Sequence, residues 1–329
     1  MRVLALLRQQ RGGLANWAAD AAEWLAEEGV ELVVDDASWI PPQTGRAADR
    51  EVTKRLKQDA RGFDAVHALG YRTAWACAEA FALRFPWVYT AYDPPKTTHP
   101  DLVDRLNSAR RGIVPSRSVH DDLDSVDVLH LEVMPHPAGL GLPDRDAARA
   151  EIGVPEDSVL VYAMGEFTPE SGLAALPGAM EAVWKDSGQA RLLIVGEGTE
   201  PIHSGDVRAT VLRTWLDHPV RWVSAADLVV VPARRAGWSR TAVEAMQLGI
   251  PVVVRAWGGL TEIGDPGVST WAFQDDEDLG RVLADAASSP LRRESIGAAG
   301  RAWVQNRLDP ARHARKLAGI YREAVGLRA

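Results

Sequence analysis

The sequence predicts an α/β fold made of two doubly wound Rossmann-like domains. Short apolar runs alternate with helical patterns along most of the chain, as strands and crossover helices of parallel sheets do. The stretch Ala225 to Glu262 reads AADLVVVPARRAGWSRTAVEAMQLGIPVVVRAWGGLTE: strand, loop, helix, strand and glycine pair in immediate succession. At 329 residues the chain is long enough for two domains of ordinary size.

Composition narrows the class. Hydrophobic residues make up 46% and charged residues 25%, the balance of a globular protein. A net charge of −8 argues against a nucleic-acid-binding surface, though not against a local basic pocket. The lone cysteine, Cys77, excludes an intramolecular disulfide and a cysteine-rich metal site. No apolar run approaches the roughly 20 residues that span a bilayer. Met1 to Arg11 is too short and too soon interrupted to be a secretory signal, so the expected location is cytoplasmic, with peripheral membrane contact compatible. Of the 12 tryptophans, most are expected to pack in the core, with some left to stack on saccharide.

Arg2 to Leu7 reads as a buried strand. Gly12-Gly13 follows as a turn, then a helix from Ala15 to Glu28 with Trp17, Ala21, Trp24 and Leu25 at helical spacing. Gly29 ends it, and Glu31 to Val34 is the next strand. Pro41 to Gly45 is a loop and Ala47 to Ala60 a surface helix. Asp64 to His67, Trp87 to Thr90 and Ile113 to Pro115 are short strands. Ser116 caps a helix over Val119 to Leu123, and Val128 to Met134 is the last strand of the first half. A lone histidine at a strand end, such as His67, is more often structural than functional.

Pro143 to Arg149 reads as a linker running into a helix. Ser158 to Met164 opens the second sheet, followed by the loop GEFTPESGL. Arg191 to Val195 repeats the strand-turn pattern before Gly196-Glu197-Gly198. Leu228 to Val231 stops at Pro232, and a helix runs from Ser239 to Leu248 until Gly249. Ser239 is its expected N-cap, so free backbone N–H groups face a loop at the carboxyl end of a strand. Such a helix start favours a phosphate or another anion. Pro251 to Val254 and Ser269 to Phe273 are further strands. Helices follow near Glu277 to Ala287, Leu291 to Arg307 and Asp309 to Val325. The expected division is an N-terminal domain over 1–140, a C-terminal domain over 141–310, and a final helix over 311–329. No Walker loop, H-E-x-x-H, cysteine ligand cluster, G-x-G-x-x-G turn or G-x-S-x-G elbow occurs.

Several of these motifs carry a resemblance. Gly237, Glu244-Ala245-Met246, Gly249, Pro251-Val252-Val253, Gly258-Gly259 and Glu262 fit the pattern E-G-F-G-x4-E-A-M-x-x-G-x-P-V-V followed by G-G-x-x-E. This resembles the donor-site region of retaining, nucleotide-sugar-dependent glycosyltransferases of family 4. FPWVYTAYD, DAVHALG and SRSVHDDL are similar to further motifs of that family in the first half. The resemblance implies the GT-B fold, two Rossmann-like domains facing across a cleft, with the last helix crossing back to the first domain. It implies a donor site of Gly12, Gly13, Gly165, Ser239, Arg240, Thr241 and Glu244, with Tyr92 and Asp93 at the catalytic position and no metal or other cofactor. In relatives the equivalent of Glu244 binds the donor ribose hydroxyls; read from the residues alone, it is a helix-surface glutamate. Gly12-Gly13 reads either as a plain tight turn or as the family's point of backbone approach to donor phosphate.

Four departures stand out. Ala236 occupies the place of the first glutamate of the paired-glutamate motif. Glu166 and Ser171 replace an arginine and a lysine that neutralise the donor diphosphate. Tyr92 replaces a histidine, and a phenol with a reference pKa of about 10 is a poor base at neutral pH. Opposite unit charges about 4 Å apart at an effective dielectric near 20 attract by roughly 4 kcal/mol, so reversing one is not a small edit. Arg234, Arg235, Arg240 and Arg255 lie near the donor loop, and Arg240 is the best placed to restore the charge; alternatively these arginines are solvated or pair with acidic residues. Two function classes follow. One is a glycosyltransferase of hexosyltransferase type, taking a nucleotide-sugar to a glycan, lipid-linked or small-molecule acceptor. The other is a catalytically degenerate GT-B protein that serves as the binding subunit of a partner glycosyltransferase. A homo-oligomer is compatible with either.

Overall fold

The computed structural model describes residues 1–329 except 9–11, 43–45, 83, 96–99, 140–142, 215–218 and 328–329. Arg11, part of the expected loop ending at Gly45, and His218 therefore lie outside the described residues. The chain divides into two compact units, Met1–Gly139 with Asp309–Ala329, and Leu140–Leu308.

The first unit holds a six-stranded sheet of β1 (Arg2–Leu7), β2 (Glu31–Asp36), β3 (Ala65–Leu69), β4 (Trp87–Thr90), β5 (Arg111–Val114) and β6 (Leu131–Val133). Its order is β2-β1-β3-β4-β5-β6, and every pairing is parallel. Helices α1 (Gly13–Glu27), α2 (Arg46–Asp59), α3 (Tyr71–Phe81), α4 (Pro100–Leu106) and α5 (Arg117–Asp124) make the crossovers. Both faces of the sheet are covered, which is why β1 after Arg2 is an unbroken apolar run and β3 is buried at every position, His67 included. One face packs Leu4, Leu6, Val66 and Tyr89 under α2 and α3; the other packs Val3, Ala5, Leu7 and Val88 under α1 and the last helix of the chain.

The second unit contains α6 (Arg145–Glu151), β7 (Leu160–Met164), α7 (Leu176–Asp186), β8 (Arg191–Gly196), β9 (Ala209–Arg213), α8 (Pro219–Ala225), β10 (Leu228–Val231), α9 (Arg240–Gln247), β11 (Val252–Arg255), β12 (Trp271–Phe273), α10 (Asp276–Ser288) and α11 (Pro290–Arg307). The sheet order is β12-β11-β10-β7-β8-β9, again parallel throughout. The last helix, α12 (Pro310–Ala324), returns to the first unit. In each sheet the strand order reverses once, between β1 and β3 and between β7 and β10. Ligands of open α/β sheets bind at such reversals, outside the carboxyl ends of the strands.

Some elements were not legible in the sequence. Helix α3 buries Thr73, Ala74, Ala76, Cys77, Ala78, Ala80 and Phe81, so its alanine-rich run shows little contrast between faces. Helix α7 begins at Leu176-Pro177, and its proline resembles a break although the first turn needs no N–H there. Strand β9 is a half-exposed edge strand in a segment with no apolar run.

Candidate functional site

The carboxyl ends of β7 and β10 are neighbours at the reversal of the second sheet, and most of the expected donor residues gather there. Gly165 follows β7, where its N–H donates to the Val195 carbonyl at 3.1 Å. The loop after β7 folds back onto the loop after β10. The Arg234 N–H donates to the Glu170 carbonyl at 2.7 Å, and Gly172 sits so close to Pro232 that an added Cβ would lie 2.2 Å from its carbonyl oxygen. Gly172 also has φ +68°, a conformation that favours glycine. The loop spacing that the sequence preserved is thus a packing requirement, independent of the side chains lost at 166 and 171. Glu166 is exposed, and the Ser171 hydroxyl donates to the Thr168 carbonyl at 2.7 Å.

Helix α9 begins as the sequence indicated. Ser239 has extended backbone, and its hydroxyl oxygen accepts from the Ala242 N–H at 3.2 Å. Arg240 and Thr241 occupy the first turn, whose N–H groups have no intrahelical acceptor. Glu244 stands in the second turn and is only 2% exposed. The Arg240 Nε donates to Glu244 Oε1 at 2.6 Å, an i, i+4 ion pair whose side chains are 11% and 3% exposed. Glu244 is therefore not a solvated surface glutamate. The cation expected to compensate for the missing lysine and arginine leans on the carboxylate expected to hold the ribose. On the sheet beneath, the buried Tyr162 hydroxyl has no hydrogen-bond partner among the described residues. Its pKa is pushed up, first by burial and then by the charge of Glu244.

Arg234 and Arg255 are tied to a residue that sequence reasoning did not single out. Asp276, at the start of α10, accepts from Arg255 Nη2 through Oδ1 and from Arg234 Nη2 through Oδ2, both at 2.5 Å. Burial alone would raise its pKa, but the hydrogen bond from Arg255 and the charges of Arg234 and Arg255 hold it below the ordinary carboxylate range. Arg255 is buried and also donates to the Pro232 carbonyl at 2.9 Å. This one carboxylate thus bridges the two guanidiniums. The signal that could have found it is the acidic start of α10, where Asp275 caps the helix and Asp276 opens it.

In the first unit, Gly12 precedes α1 with φ 92°, and no side chain caps that helix start. Gly70 does the same for α3 with φ 99°. These two uncapped helix starts follow β1 and β3, the strands that flank the first reversal. Gly13 is the first residue of α1. Tyr92 and Asp93 follow β4; the Asp93 carbonyl accepts from the Tyr71 hydroxyl at 2.8 Å, and the Tyr92 ring lies 5.5 Å from that of His136. His67 is fully buried, with Nδ1 2.7 Å from the Tyr321 hydroxyl and Nε2 2.8 Å from Thr90 Oγ1. Burial drives its pKa down to about 3, so it stays neutral and ties β3 to α12. Trp17 stacks on His136 at 4.5 Å and donates from Nε1 to His313 Nε2 at 3.1 Å. Among the described residues no group of histidine, cysteine and carboxylate side chains has the arrangement of a metal site, and no helix is long and apolar enough to cross a membrane.

Comparison with known proteins points the same way. Residues 158–289 match the family described as glycosyl transferases group 1. A D-inositol 3-phosphate glycosyltransferase of Segniliparus rotundus is 30% identical over 197 residues, covering 54% of this chain and 43% of the relative. A GDP-mannose-dependent monoacylated alpha-(1-6)-phosphatidylinositol monomannoside mannosyltransferase of Corynebacterium glutamicum is 29% identical over 177 residues, covering 49% of this chain and 46% of the relative. The chain thus aligns with under half the length of these curated relatives. Sucrose-phosphate synthase from Thermosynechococcus elongatus superposes with a TM-score of 0.81 at 20% identity, covering 98% of both chains. HepE from Anabaena in complex with UDP-glucose superposes with a TM-score of 0.77 at 18% identity, covering 97% of this chain and 98% of the other. The chain resembles the family 4 glycosyltransferases and has the α/β architecture of the GT-B fold.

Proposed function

We propose that this chain, which resembles the retaining GT-B glycosyltransferases, moves a sugar from a nucleotide-sugar donor to a glycan, lipid-linked or small-molecule acceptor, in the cytoplasm and without a metal. The observation that carries the reading is the Arg240–Glu244 pair in the opening turns of α9, at the reversal of the second sheet. The donor diphosphate lies against the first turn of α9 and against the backbone at Gly165. The ribose hydroxyls donate to Glu244. That exchange replaces one partner of the carboxylate with another and releases the Arg240 guanidinium to the diphosphate, whose charge grows as the glycosidic bond breaks. Arg240 thereby supplies charge that Glu166 and Ser171 do not. Within the first unit, Gly12 and Gly13 are the residues the reading assigns to donor binding and Asp93 and Tyr92 those it assigns to catalysis, with Tyr92 acting as a hydrogen-bonding group and not as a base.

The test is direct. Thermal shift with UDP-, GDP-, TDP- and ADP-sugars finds the donor, because a ligand at 100 times its Kd adds about 2.7 kcal/mol of stability. Arg240→Ala is then expected to weaken that donor at least about tenfold, or roughly 1.4 kcal/mol. Unchanged affinity would refute the role of Arg240.

A second reading is favoured by one set of observations: Glu166, Ser171 and Ala236 stand where charged donor ligands belong. On that reading the chain is a binding subunit of an active glycosyltransferase. Donor hydrolysis by the purified chain separates the two, since the enzyme releases nucleoside diphosphate and the subunit does not.

A further inference from the structure

One large apolar side chain near the second reversal lies mostly in solvent. Among the described tryptophans Trp257 alone is exposed, at 59%. An indole is one of the largest apolar surfaces a chain can bury, so leaving it in water forgoes a substantial gain. Its backbone, by contrast, is firmly held. The Trp257 N–H donates to the Arg255 carbonyl at 2.8 Å, the Leu260 N–H to the Trp257 carbonyl at 3.2 Å, and the Gly259 N–H to the Ala236 carbonyl at 3.2 Å. The last of these bonds ties the loop after β11 to the loop that leads into α9. Trp257 therefore stands on a rigid mount at the carboxyl edge of the sheet, beside the proposed donor site.

The surroundings suit one class of ligand. Gly258 and Gly259, the next two residues, carry no side chain. Exposed Thr261 donates its hydroxyl proton to the Gly258 carbonyl at 2.8 Å, which leaves its oxygen as an acceptor. Glu262 follows, half-buried. An exposed indole face, with acceptor side chains four and five residues along the same loop, matches a pyranose, which presents a C–H face and an edge of hydroxyl donors. We propose that Trp257 is the stacking platform for a pyranose ring and so a specificity-determining residue of the second unit. This deepens the glycosyltransferase reading and rests on it for the neighbouring donor site. The pyranose belongs either to the donor or to a glycoside acceptor.

Indole N–H spectra of the full isotope-labelled chain test this, with Trp257→Phe assigning the signal. The probes are UDP and GDP, then UDP-glucose and GDP-mannose, then methyl α-D-glucopyranoside and methyl α-D-mannopyranoside. The Trp257 signal is expected to move with a sugar-bearing probe and to stay still with UDP or GDP alone. Response to a nucleotide-sugar assigns the donor sugar; response to a methyl glycoside assigns the acceptor. Trp257→Ala should weaken the responding probe about tenfold, Trp257→Phe by less than about threefold, and neither should alter binding of the bare nucleotide. A signal unmoved by every sugar-bearing probe, or unchanged affinity in Trp257→Ala, overturns the proposal. Failure of the donor reading looks different: UDP, GDP and both nucleotide-sugars then move no signal anywhere, while the glycosides still decide the fate of Trp257.

Discussion

A glutamate only 2% exposed on a helix that begins at a sheet reversal is held by the neighbour one turn before it. The motif resemblance singled out Glu244, and a place at the helix start beside Ser239 singled out Arg240, four residues apart on one helix face. Neither could show that the two neutralise each other, since burial depends on β7 and Tyr162 beneath. The pair has consequences for stability as well as for binding. Arg240→Ala leaves a buried carboxylate without that guanidinium and is expected to cost about 3–5 kcal/mol, read from chemical denaturation. Glu244→Gln keeps the shape and one acceptor, so its cost should be smaller, about 1–3 kcal/mol. Equal stability of wild type and Arg240→Ala would show that the pair contributes nothing. Gly172 tests the loops that flank them. Gly172→Ala forces a Cβ to within 2.2 Å of the Pro232 carbonyl oxygen at φ +68°, and a loss of roughly 1–3 kcal/mol is expected by thermal melting. A melting temperature equal to wild type would mean that the two loops separate freely.

At the scale of elements, α12 is the clearest case of long-range assembly. The sequence showed an amphipathic last helix, and the resemblance implied its return to the first domain. What it returns to was not legible, because the partners are 254 and 296 residues away: Tyr321 meets His67, and His313 meets Trp17. His67 was readable as structural more readily than as catalytic, and its bonds to Tyr321 and Thr90 use both ring nitrogens. Tyr321→Phe removes one of those bonds while keeping the ring. It should destabilise the first unit by about 1–3 kcal/mol, because a buried imidazole nitrogen loses its partner. Hydrogen exchange in α12 should quicken with it, and unchanged protection there would contradict the tie.

At the scale of the whole molecule, the two parallel sheets were legible from apolar runs alone, because strands covered on both faces have no polar side to show. Among the elements passed over were three without that signature: alanine-rich α3, proline-led α7 and the edge strand β9. The buried histidines also give the molecule a pH dependence. Burial lowers the pKa of both His67 and His313 to about 3, the latter despite a hydrogen bond to Pro135 that raises it. The unfolded chain, with histidines near 6.5, therefore binds more protons than the folded one between about pH 6.5 and 3. Their contribution is complete above about pH 6.5 and declines as the pH falls through that window, by up to about 1.4 kcal/mol per unit for each histidine. The melting temperature should fall between pH 7 and 5; a flat profile would mean that these imidazoles are not held neutral.

The most direct measurement is titration calorimetry of wild type and Glu244→Gln, side by side, with UDP-glucose, GDP-mannose, TDP-glucose and ADP-glucose. The expected result is saturable binding of at least one of them by the wild type and at least about tenfold weaker binding by Glu244→Gln, with both proteins folded at the working temperature. Equal affinity in the two proteins, or heat from none of the four, would contradict a nucleotide-sugar held at the start of α9.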